Sequence, residues 1–494
     1  MQFPARTLTR VRLVVPLALA LWLGLWSSSE AALASTLLRI SQDPYAAPPG
    51  QHRTEVEPDT YSNGSTIVSA FQVGRVFNGG ANNIGFATSA NGGASWTEGF
   101  LRGTTASATP SGPYAAVSDP SVAFDPRHAV WLISYLGLRQ LGGVHVDVLV
   151  SRSTDGGLNW SLPVAVNTDG DFNDKNWTVC DTTPSSPFYG RCYTEFDDNT
   201  LGDLELMSTS ADGGQTWGAP LQTGNKDHGI GGQPLVQPNG TVIVPFNGFR
   251  GAAGFNVAAF DSTNGGASWS SSSTVAPVFF RHASGGIRDS IPLPSAEMDA
   301  SGKVYVTWQD CRFEPKCSAS DLVLSTSTDG LNWTDPVQIP TDPIGSGVDH
   351  FIPGLAVDRS TSGSTAHVLV AYYFYPNANC TAMNCQLEVG YTSSSNGGAT
   401  WAAGATLAGP MSLDWLAATT QGRMVGDYIS TSFNQAGTAY PAFAVANPPS
   451  GTIFDEATYT VLGGLQATGG TLPPGVKGNL SAPGQQTTST MTSQ

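Results

Sequence analysis

An all-β fold of repeated four-stranded units is predicted by three features of this 494-residue chain. The first is a phrase that recurs six times: a serine, a spacer, Asp or Asn, glycine, a short polar stretch and a tryptophan. It reads SANGGASW up to Trp96, STDGGLNW up to Trp160, SADGGQTW up to Trp217, STNGGASW up to Trp269, STDGLNW up to Trp333 and SSNGGATW up to Trp401. The tryptophans are 64, 57, 52, 64 and 68 residues apart, a period that marks arrays of supersecondary units. The second feature is apolar–polar alternation in TIVSAFQVG, LELMSTSA, VYVTWQD and HVLVAYYFY, which is the period of a strand. The third is a composition rich in Gly, Ser, Thr, Asn and Trp, poor in Lys and Glu, and without long amphipathic helical stretches.

The recurring phrase has a local physical meaning. Asp155, Asp212 and Asp329 can each hydrogen-bond the backbone two residues on, and the following glycines tolerate positive φ. A DGG or NGG between two apolar runs is therefore a hairpin turn. The tryptophan opens the next strand, packs back across the turn and has an indole N–H for a polar partner. Six such hairpins at this spacing, each with the same closing tryptophan, predict repeated four-stranded β units, as in a propeller, solenoid or array.

The turns resemble the Asp-box of the sialidase superfamily, which implies a turn between the third and fourth strands of each propeller blade, and that placement sets out the elements in order. The first blade has TEVEPDT as its inner strand, then STIVSAFQVG, NNIGFATSA and SWTEGFL. The next inner strands are expected to start near Ser118, Asp174, Gly232, Arg288 and Asp349. A further unit lacks the phrase: Arg423 to Ile429, TAYPAFAVAN and ATYTVL make three strands. TLLRIS (36–41) is unpaired ahead of the first blade and can add as the missing outer strand, closing the ring and removing a sheet edge. Seven blades are favoured, with six as the alternative.

The six turns resemble the Asp-box, or BNR repeat, of the sialidase superfamily, over residues 89–401. The resemblance implies a propeller whose boxes sit on the outer rim of the blades, away from the central funnel. It says less about activity, because sialidases, other glycoside hydrolases and noncatalytic propellers share the boxes.

Polar residues collect at the expected inner-strand starts: Glu57, Asp119, Asp174, Arg288, Asp349, His350, Arg423 and Asp427. Either they converge on one funnel or they cap strand ends and pair with neighbouring blades. By resemblance, a sialidase site has three arginines that clamp the substrate carboxylate bidentately. It also has a tyrosine nucleophile activated by a glutamate, and an aspartate as acid/base. Carried onto this chain, Tyr428 is the nucleophile, Glu57 its base and Asp119 the acid/base group. Arg288 and Arg423 are the clamp arginines, and Asp349, His350 and Asp427 are further substrate-binding residues. Arg423 and Tyr428 are five residues apart and face opposite sides of an ideal strand, so a bulge is required. LRIS at 38–41 resembles the FRIP-like motif weakly, and Arg39 falls on an outer strand. Arg312 is the candidate third arginine. The expected function is an exo-glycosidase of sialidase-like type acting on glycans at the funnel. The alternative is a noncatalytic propeller that binds a glycan, a cell-wall or cell-surface polymer, or a protein.

The ends of the chain carry other information. Arg6, Arg10 and Arg12, the apolar run LVVPLALALWLGLW and Ala32-Leu33-Ala34 read as a signal peptide over 1–34. The run is too short to span a bilayer. A secreted, extracellular protein with no membrane span after signal removal is expected. The propeller is expected over 35–462 and a disordered Gly/Pro/Ser/Thr-rich tail over 463–494. Six cysteines fall in close pairs, Cys180 with Cys192, Cys311 with Cys317 and Cys380 with Cys385, and local disulfides are expected. A net charge of −16 without a basic patch excludes a nucleic-acid partner. Asp169, Asp171 and Asn173 place oxygen ligands at alternate positions, as calcium loops do; structural calcium and a plain turn both remain open. No cofactor is expected to be required. No Ser–His–Asp order, phosphate loop or dinucleotide fingerprint appears.

Overall fold

Strand alternation organises the chain into antiparallel four-stranded meanders. The computed structural model describes residues 36–476 apart from 47, 252, 253 and 290. The expected signal peptide lies outside the described residues. The first meander runs through Glu55–Asn63, Thr66–Arg75, Ala81–Ser89 and Thr97–Phe100. The second runs through Ala116–Asp125, Val130–Leu138, Val146–Ser153 and Val164–Asn167. The third contains Asn173–Cys180, Cys192–Asp198, Leu204–Ser210 and Leu221–Gln222. In the fourth, Leu235–Val236 precedes Val242–Phe249, Phe255–Ser262 and Ser273–Pro277.

The fifth holds Ser295–Met298, Val304–Asp310, Asp321–Ser327 and Val337–Gln338. The sixth holds Asp349–Val357, Val368–Tyr375, Gln386–Ser394 and Ala405–Ser412. The last has Ser430–Phe433, Thr438–Ala446 and Glu456–Val461. Its outer strand is Leu37–Arg39, with Leu37 opposite Val461. The early segment therefore completes the final sheet, as its unpaired edge led us to expect.

Successive sheets pack face to face around a common centre, which makes the architecture all-β and propeller-like. Hydrogen bonds link neighbouring first strands. Val122 N donates to Asp59 (2.6 Å), Thr178 N to Ser121 (3.2 Å), Ala296 N to the Gln233 side chain (2.8 Å) and Leu355 N to Ser295 (3.0 Å). The Thr431 hydroxyl donates to Gly354 O (3.2 Å), and the Ser430 hydroxyl to Thr60 O (3.3 Å), which returns to the first sheet. Between the sheets lie separate apolar cores. Val68, Ile84, Ile133 and Tyr135 fill one; Tyr305, Leu324, Leu355 and Val370 fill another. Burying each such side chain is worth about 1.5–3 kcal/mol.

All six phrases lie between the third and fourth strands of their sheets. In the second, the Asp155 carboxylate accepts from Asn159 N (2.9 Å), and the Trp160 indole donates to Gly157 O (3.2 Å). The indoles of Trp333 and Trp401 donate in the same way to Gly330 and Gly398. The turn also clasps the preceding sheet. Thr88 donates to Gly157 O (2.7 Å), Arg152 to Gly213 O (2.6 Å) and Asn434 of the last sheet to Gly92 O (3.2 Å). Glycine is required at Gly93 by contact as well as by its φ of 90°, since a Cβ there would lie 2.2 Å from the Tyr440 ring. Gly93→Ala is expected to lower stability by about 1–3 kcal/mol, read as a lower urea midpoint.

The layout differs from the sequence reading in three places. The fifth inner strand begins at Ser295, so Arg288 lies in the connection before it. The last inner strand begins at Ser430, and Arg423 belongs to a separate hairpin, Ala417–Thr419 with Gly422–Met424. Apolar content and register select those strands, and a polar residue at an expected start does not. The tail expected to be disordered from 463 pairs over part of its length: Ala439 with Leu465, Trp401 with Leu472 and Gln338 with Gly475. Residues 477–494 lie outside the described residues. The three disulfides join the expected local pairs, Cys180–Cys192, Cys311–Cys317 and Cys380–Cys385.

Candidate functional site

The inner strands of the first, second, third and sixth sheets carry the same irregularity. Two residues oppose one on the neighbouring strand at 57–58, 119–120, 175–176 and 352–353. The first residue of each bulge has positive φ: Glu57 (57°), Asp119 (50°), Lys175 (44°) and Ile352 (51°). Bulges re-aim a side chain, and non-glycine residues in this region cost of order 1–3 kcal/mol each. Proline follows at three of the four positions, Pro58, Pro120 and Pro353, and cannot donate to a ladder. The four side chains are thereby directed to the centre.

There Glu57, Asp119 and Lys175 join Arg288 and Asp427 in one buried charge network. Lys175 Nζ contacts Asp119 (2.9 Å), Asp427 (2.5 Å) and Glu57 (3.7 Å). Arg288 grips Asp427 through Nε (2.7 Å) and Nη2. The backbone N of Asp427 donates to Glu57 (3.0 Å), and Gln72 also donates to Glu57. Burial alone would lower the Lys175 pKa, but Asp119, Asp427 and Glu57 outweigh it and hold it well above normal. Burial alone would raise Asp427, but Arg288 and Lys175 hold it well below the carboxylate range. Glu57 goes the other way: burial, then the Asp119 charge, push it up.

A cleft opens beside this network, lined by Asp174, Lys175, Gln233, Arg288, Asp289, Ile352 and Asp427 among others. Asp174 is half-buried at its wall. Burial pushes Asp174 up to about 6, with Lys175 pulling it down and Asp119 adding to the rise. Across the third sheet, Asp174 is opposite Asp197, and Asp197 is opposite Glu205. Glu195, Asp197 and Glu205 are fully buried, and burial followed by neighbouring acids raises Glu195 and Asp197.

The sequence-predicted residues divide between this centre and other places. Glu57, Asp119, Arg288, Asp427 and Tyr428 come together. The Tyr428 hydroxyl donates to Pro120 O (2.8 Å) and its ring meets Trp177 edge-on; burial raises its pKa well above normal, the opposite of an activated nucleophile. Glu57 contacts Lys175, Gln72 and the Asp427 backbone. Arg423 turns to Leu416 O (2.8 Å) and Arg312 to Asp310 (2.9 Å). The three guanidiniums proposed as a clamp are thus each engaged by a different protein group. Asp349 pairs with Arg281 (2.7 Å). His350 is buried against Phe374 and Tyr372. Asp169 and Asp171 do converge, but with Asp198 from the second strand of the third sheet. Asn173 instead donates to Val146 O (2.8 Å), and its side-chain oxygen accepts from Asn167 (3.2 Å). Lys175 and Asp174 were not assigned roles by sequence reasoning. The signal for Lys175 was its place at the same strand position as Glu57 and Asp119, with Asn176 replacing the proline that follows them.

No protein-family model matches the sequence, and no curated protein matches it. Solved structures do match. An ulvan lyase of a polysaccharide lyase family, bound to a sulfated glucuronate–rhamnose unit, superposes with a TM-score of 0.50 at 11% identity, covering 86% of this chain and 96% of that one. The NanB sialidase of Streptococcus pneumoniae, as its K499G mutant, gives 0.44 at 14% identity over 88% and 71%. A Hadza microbial sialidase gives 0.43 at 13% identity over 71% of this chain, which spans 66% of that protein's length.

Proposed function

We propose that this chain is a secreted, seven-bladed, Asp-box-type propeller that binds a glycan in the central cleft and hydrolyses a glycosidic bond there. The hydrogen bonds between neighbouring first strands, together with the one from Gly232 N to Glu195 (3.1 Å) that joins the third sheet to the fourth, support a ring of seven. The fold-level likeness to a polysaccharide-active enzyme supports a glycan as ligand, as an analogy only. The observation that carries the chemistry is the divergent pair of carboxyls lining the cleft. Asp174 is raised to about 6 while Asp427 is held ionised by two cations. Carboxyls driven apart in this way mark an acid and a charged partner. Asp174 is assigned as the proton donor to the leaving oxygen, while a water forms the new bond at the anomeric carbon and releases its proton to solvent, from which Asp174 is reprotonated; Lys175 and Arg288 hold Asp427 ionised beside the cleft.

The sugar is assigned as uncharged. The bidentate face of Arg288 that would take a sialic-acid carboxylate is already filled by Asp427. A panel of aryl glycosides, with a sialoside included, tests this. We expect release from a neutral glycoside and none from the sialoside. Asp174→Asn should lower kcat/KM by about 10²–10⁴-fold with ligand binding kept. Because the acid must be protonated, kcat/KM should fall as pH rises through about 6. Binding without turnover would replace the hydrolase reading with the noncatalytic one. Sialoside cleavage, or full activity in Asp174→Asn, would overturn the assignment of substrate or acid.

A further inference from the structure

The second feature of note lies between the fifth and sixth sheets. His350 is 2% exposed, stacks on Phe374 (centroids 6.0 Å apart) and meets Tyr372 edge-on at 5.3 Å. Its Nδ1 is buried without a hydrogen-bond partner. Asp321 opens the third strand of the fifth sheet and is fully buried. One of its oxygens accepts from Gln338 (2.7 Å), whereas Oδ2 is buried and unpartnered. Asp342, half-buried on the connection between the two sheets, brings a carboxylate to the same point. One ligand atom from each of the three lies within 4.8 Å of the others.

Leaving these atoms unsatisfied is costly, because a buried polar group without a partner loses its hydration for nothing. A water could satisfy the two orphan atoms but would leave the carboxyls of Asp321 and Asp342 side by side. A divalent cation satisfies both. Two carboxylates and an imidazole are nitrogen and oxygen donors suited to zinc or manganese, whereas calcium and magnesium take oxygen ligands alone.

We propose that Asp321, Asp342 and His350 bind one divalent transition-metal ion, of the zinc or manganese class, which pins the start of the sixth sheet to the fifth. The half-exposed Asp342 side provides the entry path. The ion is structural: it ties two sheets together away from the cleft.

The test uses untagged full-length protein stripped with chelator and loaded with Zn²⁺ or Mn²⁺ alone. Metal content is read after gel filtration, and melting temperature is read in parallel. We expect one equivalent retained and a rise in Tm of about 2–4 °C or more. His350→Gln and Asp342→Asn should lose that equivalent and the rise, while Asp171→Asn should keep both. Should His350→Gln fail to fold, Asp342→Asn gives the answer from the half-exposed side. Retention of no metal by the native chain, or equal retention by a folded Asp342→Asn, overturns the proposal. Neither result bears on glycoside cleavage, which is read separately.

Discussion

Lys175→Met should destabilise the protein by about 3–5 kcal/mol at neutral pH, the range for removing one partner of a buried ion pair. Lys175 is 8% exposed and contacts three carboxylates. Methionine keeps the length of the side chain and removes the charge. Asp427 keeps Arg288, and burial already favours the neutral form of Glu57, so the loss falls mainly on Asp119. The sign of the pH dependence separates this cause from lost packing. Without the ammonium, the buried carboxylates bind protons more readily in the folded state than in the unfolded one. The deficit should therefore shrink as pH falls from 7 toward 4. Urea unfolding of both proteins across that range checks it, and a deficit that stays constant with pH would falsify the electrostatic account. Lys175→Arg should retain most of the stability.

The second large effect is a pH dependence set by the acid row of the third sheet. Glu205 is pushed up to about 8, by burial first, while Glu195 and Asp197 are also raised. The folded protein therefore holds protons that the unfolded chain gives up above its ordinary value of 4.5. A raised pKa means stability is fully present below the unfolded value and is lost as pH rises through the folded one. Each such group contributes a slope of about 1.4 kcal/mol per pH unit inside its window. Stability should thus fall by several kcal/mol between pH 5 and 8. Glu205→Gln keeps the shape and never ionises. It should match the native protein at pH 5, exceed it at pH 8 and flatten the slope between, as read from urea midpoints. A native stability that rises from pH 5 to 8 would contradict the protonated row.

Much of the architecture was legible because its signals are local. A Ser-x-Asp/Asn-Gly turn closes on itself within eight residues, so each of the six could be recognised as a hairpin turn without knowing the rest. The cysteine pairs are 12, 6 and 5 residues apart, short enough for local closure to dominate. Leu37–Arg39 was legible for a different reason: the final unit lacked one strand, and an open edge needs a partner.

The site was legible only in its residue types. Glu57, Asp119, Arg288 and Asp427 were singled out, and they do meet. Their roles were not readable, because each depends on a partner far along the chain. Asp427 is 139 residues from Arg288 and 252 from Lys175, and no sequence pattern pairs them. Arg423 and Arg288 looked alike as cations at strand starts. Only packing decides that one donates to a backbone carbonyl and the other to Asp427. Likewise His350 follows Asp349 directly, yet it is buried between two sheets instead of facing the cleft. Alternation gives the face, while the partner sheet decides what that face meets.

By itself, the sequence determined the all-β class, the period of the repeat, the position of its turns and the cysteine pairing. Those follow from backbone preferences and short loops, which act over a few residues. The tertiary structure decided where the inner strands begin, which charges neutralise one another and which carboxyl keeps its proton. Those depend on burial and on Coulomb interactions between residues that only the packing of the sheets on one another brings within a few ångströms.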